Sequence, residues 1–221
     1  MIDILFLTTT IMKAAVFIII GLYLLNQWMK LEKKYTSDIP FLFGVGILFL
    51  VPGTIIDSLV IANLLEFGFL LNIRYALDII CITLFLGSLL SVWIAEKIKL
   101  RYSIIITLIS ISTIIFLLSP TNIVYLDTLN SLVSLPAIII VIITFLFTYF
   151  TKRLTNVHGL LISISAIIVL ISQVARPFLK TILLTSFMTF GLAWLANLIA
   201  VVGWIICYFG FRLKPGYVSN T

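Results

Sequence analysis

PGTIIDSLVIANLLEFGFLLNIRYALD, residues 52–78, sets a helix-breaking Pro52-Gly53 pair, two aspartates, Asp57 and Asp78, and Arg74 in sequence mostly apolar enough to lie in lipid. Ionisable side chains at membrane depth are costly, so they pair with one another or line a pathway or a binding site. This stretch therefore marks both the environment of the chain and the place of its polar chemistry.

The surrounding composition agrees. Of 221 residues, 62% are hydrophobic and 10% charged, against roughly 25% charged in a soluble globular domain. Spans of about 20 residues joined by short loops use up nearly all of this length, which leaves no room for a soluble catalytic or DNA-binding domain. The expected fold is all-α, a polytopic helical bundle forming one transmembrane domain over residues 1–221. Lipid satisfies no backbone groups, and the alternation of barrel strands is absent. The net charge of +6 does not argue for nucleic acid, because Lys and Arg fall in twos and threes at the ends of apolar runs, where they orient membrane proteins. Cys81 and Cys207 are expected at different depths, too far apart for a disulfide, hence as free thiols. The start, Met1-Ile2-Asp3, lacks a positive n-region and reads as the beginning of a retained first span.

Seven apolar windows are read as spans, over about residues 4–27, 40–63, 71–95, 102–118, 132–151, 157–175 and 185–209. The count falls to six if the fourth is not a full crossing. Placing the N-terminus outside puts Lys30, Lys33, Lys34, Lys97, Lys99, Arg101, Lys152, Arg153, Arg212 and Lys214 inside. Only Arg74, Arg176 and Lys180 remain outside. The positive-inside rule thus gives N-out, C-in, and Trp28, Trp93, Tyr102, Tyr149, Trp204 and Tyr208 fall at the inner boundary, as an aromatic belt does.

Local signals refine the spans. Lys13 lies roughly 13 Å along the first helix at 1.5 Å per residue, and either snorkels outward or meets a buried acid. Asp38 and Pro40 read as N-cap and first turn of the second span. Gly44 and Gly46 permit close helix approach, and Pro52 deprives the carbonyl near Leu48 of its donor, so that Pro52 and Gly53 form a candidate hinge. Arg74 and Asp78 are an i,i+4 pair. Gly87, Ser88 and Ser91 offer a small-residue face. Ser119-Pro120-Thr121-Asn122 reads as a turn, Pro136 as lying near the start of the fifth span, and Asn156 as the cap of the sixth.

On this sidedness Lys13, Asp57, Arg74, Asp78, Gln173 and Arg176 fall in the outer half, with Asn197 near the middle of the seventh span. The economical pairing is Lys13 with Asp57 and Arg74 with Asp78, with Arg176 available to the same set. The residues imply either pairs that fix helix packing or an outward-facing polar pocket. The pocket reading favours a non-enzymatic sensory, receptor-like or accessory subunit in the cell membrane, embedded in the bilayer. It would work with other membrane or cytoplasmic subunits and take a small molecule or ion at its outer face. A small carrier of three, one and three helices, proton-coupled through Asp57, is the alternative; a dry inner half argues against it.

Enzyme signatures do not fit. Asp57 and Asp78 follow Ile-Ile and Ala-Leu, not the Tyr-Asp and Gly-x-Gly-Asp contexts of intramembrane aspartyl proteases. His158 is the only histidine, too few for zinc or haem and on the wrong side for a serine protease. The last span has no interior lysine for retinal, and the Pro-Gln signature of the sugar carriers is absent. No cofactor and no metal are expected.

Overall fold

A computed structural model describes residues 4–36, 38–66, 68–94, 97–154, 156–181 and 192–215. Seven helices account for most of them: α1 (Ile4–Met29), α2 (Ile39–Ile61), α3 (Leu70–Trp93), α4 (Ile98–Leu118), α5 (Ile123–Phe150), α6 (Gly159–Thr181) and α7 (Ala193–Arg212). All seven are long and apolar enough to cross a membrane, and no strand occurs among the described residues. Residues 182–191, where the sequence places the start of the seventh span, and the polar tail from 216 lie outside the described residues.

The chain divides into two compact units, one comprising Phe17–Ala137 and the other Met1–Val16 with Ile138–Thr221. In the Phe17–Ala137 unit, α3 packs against α2 on one side and α4 on the other. Gly44 and Gly46 explain how α2 can serve two neighbours. Two residues turn a helix by about 200°, so the glycines open opposite faces. A Cβ at Gly44 would stand 3.2 Å from the Gly21 carbonyl oxygen of α1, and one at Gly46 would stand 3.3 Å from the Cys81 carbonyl oxygen of α3. Phe43 stacks on Phe85 beside that contact, with ring centroids 4.5 Å apart. On the far side of α3, a Cβ at Gly87 would come within 2.7 Å of Ile105 Cγ1 on α4. The small-residue face of α3 thus receives α4.

In the second unit α6 packs along α7. The His158 N–H donates to the Gly210 carbonyl at 2.7 Å, fixing the start of α6 to the end of α7. Gly159 lies against α5, where an added Cβ would fall 2.6 Å from the Phe145 carbonyl oxygen. Cys81 and Cys207 are both buried and both free thiols.

Three local expectations are corrected. The fifth helix begins at Ile123 and runs unbroken through Pro136, because Asn122 Oδ1 accepts the backbone N–H groups of Val124 (2.9 Å) and Tyr125 (3.2 Å). An Asx cap of this kind starts a helix even where polar residues such as Asp127 follow. The sixth helix is capped by His158, whose Nδ1 accepts the Leu161 N–H at 3.4 Å; Asn156 lies further out along the loop. Asp38 does hold the N-cap position of α2, yet its carboxylate reaches back to the loop and accepts the Tyr35 N–H at 2.9 Å.

Candidate functional site

The joint between α2 and α3 brings buried polar and charged side chains together. Asn63 adopts φ +57° and Gly68 φ +36°, conformations that these two residue types tolerate. The last turns of α2 are set against the first turns of α3. Asp57 comes four residues before the end of α2 and Arg74 four after the start of α3, so the two meet across the joint.

Arg74 grips two acids at once. Its Nε lies 3.1 Å from Asp57 Oδ1 and 3.3 Å from Oδ2, and its Nη2 lies 3.3 Å from Asp57 Oδ2. Its Nη1 lies 2.9 Å from Asp78 Oδ2. The planar guanidinium can do this because its donors point along both edges of a rigid fork. Asp57 and Arg74 are only 8% and 9% exposed, and Asp78 is partly exposed. The intrahelical Arg74–Asp78 pair expected from the spacing is present. The partnership of Asp57 with Arg74, between helices, was not read from the sequence. Lys13 belongs to the other unit, and its pairing with Asp57 stays an expectation.

The cluster extends through Tyr75. The Arg74 guanidinium carbon lies 4.5 Å from the centre of the Tyr75 ring, and the Tyr75 hydroxyl donates to Asp127 Oδ1 at 2.5 Å. Tyr75 and Asp127 are thus members of the network that sequence reasoning missed. Asp127 fell between the expected fourth and fifth spans, and recognising Asn122 as a cap would have placed it on α5. Gly53 forms a wall of the same cluster: a Cβ there would stand 3.8 Å from Asp78 Oδ1 and 3.9 Å from Arg74 Cγ. Beside it, Pro52 is exposed on α2, which continues as helix past it. Thr54 Oγ1 donates to the carbonyls of Leu50 (3.0 Å) and Val51 (2.8 Å), adding bonds on the turn that the proline weakens.

Asn72, 1% exposed, is a third residue not singled out from the sequence. Its amide donates to the Phe116 carbonyl at 2.9 Å and the Ser119 carbonyl at 2.8 Å. It thereby closes the C-terminal end of α4, whose last carbonyls have no helical partner.

The other predicted residues gather in the second unit. The Asn197 amide donates to Thr10 Oγ1 at 3.1 Å and reaches Thr9 Oγ1 at 3.4 Å. Ser172 Oγ donates to the Ala196 carbonyl at 2.8 Å. Arg176 is half-buried, with its guanidinium carbon 5.9 Å from the centre of the Phe6 ring. Gln173 is exposed. The side chain of Lys180 lies outside the described residues.

Arginine stays charged at any physiological pH, so the charge state of the first cluster can change only through its carboxylates. Taking up a proton or a cation at Asp57 or Asp78 would loosen one edge of the Arg74 fork.

These helices define a multi-pass helical membrane protein, with the lipid bilayer as its surroundings. Comparison with protein-family models, with curated proteins and with solved structures finds no significant match to the chain.

Proposed function

We propose that this is a non-enzymatic subunit of sensory, receptor-like or accessory character, inserted N-out and C-in, with a polar pocket at Asp57, Arg74 and Asp78 opening to the outer face. The observation that carries the reading is the Arg74 fork shared between two carboxylates on two helices. It stores opposed charges at a helix–helix contact, where a ligand that competes for either carboxylate changes the contact itself. Asp78 is the more accessible acid and the natural first point of contact. With short joints on the lysine-rich side, the signal would pass to partner subunits of the membrane or cytoplasm.

A small carrier, proton-coupled through Asp57, is the second reading. Gly53 favours it, because the glycine of the candidate hinge lies against Asp78 and Arg74. Single cysteines along α2 and α7, in a background lacking Cys81 and Cys207, discriminate between the two. A membrane-impermeant thiol reagent should reach mid-depth positions from the outer side alone. Labelling from both sides would replace the sensor by the carrier, and labelling from the inner side alone would remove the proposed sidedness.

A further inference from the structure

A second site lies at the other ends of the same helices, where α1 ends, α2 begins, α3 ends and α4 begins. Thr36 Oγ1 and Tyr102 Oη are 2.6 Å apart, tying the loop between α1 and α2 to the first turns of α4. That loop is itself set by Trp28, whose indole N–H donates to the Tyr35 carbonyl at 3.0 Å and whose ring lies 4.7 Å from that of Phe41. The tie joins Lys30, Lys33 and Lys34 of one loop to Lys97 and Lys99 of the other, all exposed.

Within this basic end Arg101 stands apart. It is 6% exposed, and among the described residues its Nε has no hydrogen-bond partner. Buried polar groups are almost always satisfied, and a buried guanidinium Nε without an acceptor is an exception that needs a cause. Neither acid of the neighbouring loop satisfies it: Asp38 turns to the Tyr35 N–H and Glu32 is exposed. The burial has a structural origin. Ile105, one turn further on, packs against Gly87 and in the apolar cluster of Leu42 and Leu84, which carries the same face of α4 inward.

Side chains of a helix lean toward its N-terminus, so Arg101 is directed back over the first turn of α4. The N–H groups of that turn have no helical acceptors, and Lys97, at the N-cap position, supplies no side-chain cap. A buried cationic fork, free backbone donors, the positive end of a helix and flanking lysines together form a receptacle for a phosphate oxyanion. Trp28, Trp93 and Tyr102, at the same ends of these helices, are the aromatic types that settle at headgroup depth.

We infer that Arg101 and the first turn of α4 bind the phosphate of an anionic phospholipid headgroup, with Lys97 and Lys99 at the rim. This site does not depend on the function proposed for the carboxylate end. Its ligand chemistry is a phosphate oxyanion, from the headgroup or from free phosphate in solution.

The test uses the full chain in neutral detergent, delipidated, with thermal unfolding followed as phosphatidylglycerol, phosphatidylcholine or inorganic phosphate is added. Phosphatidylglycerol should raise the midpoint of the wild type and phosphatidylcholine should not. Arg101→Gln should weaken the response about ten- to a hundredfold in lipid concentration, the contribution of one hydrogen bond to a charged group. Arg153→Gln, which removes an exposed charge of the other unit, should leave the response intact. A response to inorganic phosphate that is equally lost in Arg101→Gln supports the site with a soluble source.

An undiminished phosphatidylglycerol response in Arg101→Gln would overturn the proposal in favour of diffuse charge attraction. So would an equal loss of stability with and without lipid, since the guanidinium would then act inside the chain. Should Arg101→Gln fail to accumulate, the native mass spectrum of the wild type decides. Retention of one phosphatidylglycerol against excess phosphatidylcholine supports the site, and indifference between the two lipids overturns it.

Discussion

Replacing Arg74 by Gln removes a cation that holds two acids on two helices. Asp57 is 8% exposed and loses contacts from both Nε and Nη2, while Asp78 loses its bond to Nη1. Breaking a buried pair by deleting one member costs about 3–5 kcal/mol, because the contacts given up lie in a desolvated setting. Asp57→Asn is milder, since the amide keeps an acceptor for Arg74 and Arg74 keeps Asp78; a cost of about 1–3 kcal/mol is expected. The double variant Asp57→Asn, Arg74→Gln removes both charges of the pair. It should recover about 0.5–3 kcal/mol relative to the sum of the single losses. Unfolding of the purified protein in mixed micelles of increasing sodium dodecyl sulfate, followed by tryptophan fluorescence and circular dichroism, supplies the three free energies. Losses that add to within about 0.5 kcal/mol would show that the 3.1 Å contact between these side chains carries no coupling, and the reasoning from it would fall.

Three further outcomes can be checked by the same unfolding measurement. Gly159→Ala should be strongly destabilising, because its Cβ would fall 2.6 Å from a backbone oxygen of α5; Gly53→Ala, with nothing nearer than 3.8 Å, should leave stability close to that of the wild type. Asn197→Leu gives up the bonds to Thr9 and Thr10 and should cost about 0.6 kcal/mol and at most about 1.7 kcal/mol, the range for side-chain hydrogen bonds within membranes. Asn72→Ala strands the carbonyls of Phe116 and Ser119 and should cost about 1–3 kcal/mol. Hydrogen exchange should rise there at the end of α4 while the far end of the helix stays protected.

The helices were legible in the sequence because a bilayer imposes length and apolarity on every crossing; α1 to α4 begin and end within a few residues of the expected limits. The start of α5 was not, since Asp127 and Asn130 interrupt the apolar run and Pro136 resembles a helix beginning. Only the Asn122 side chain reveals that the helix is already under way. The candidate site was legible as an inventory rather than as an arrangement. Arg74 with Asp78 follows from helical spacing alone. Arg74 with Asp57 depends on how the joint at residues 62–69 brings α2 and α3 together, and no periodicity encodes that. Asn72 escaped notice because an amide carries no charge to betray its depth. Arg101 was read as one more orienting charge, when packing at Gly87 takes it inside.

Helix α4 is buried only at Arg101, Ile105 and Phe116. Residues 106–115 between them, about 15 Å of helix, contribute none. Natural variation should therefore run freely through that middle segment, exchanging one aliphatic residue for another, except at Ile109, which packs against the cluster of Leu42, Leu84 and Ile105. At the two ends substitutions should arise only in concert with Gly87 or Asn72. The helix would then carry its evolutionary record as two short anchored patches separated by a neutral interval.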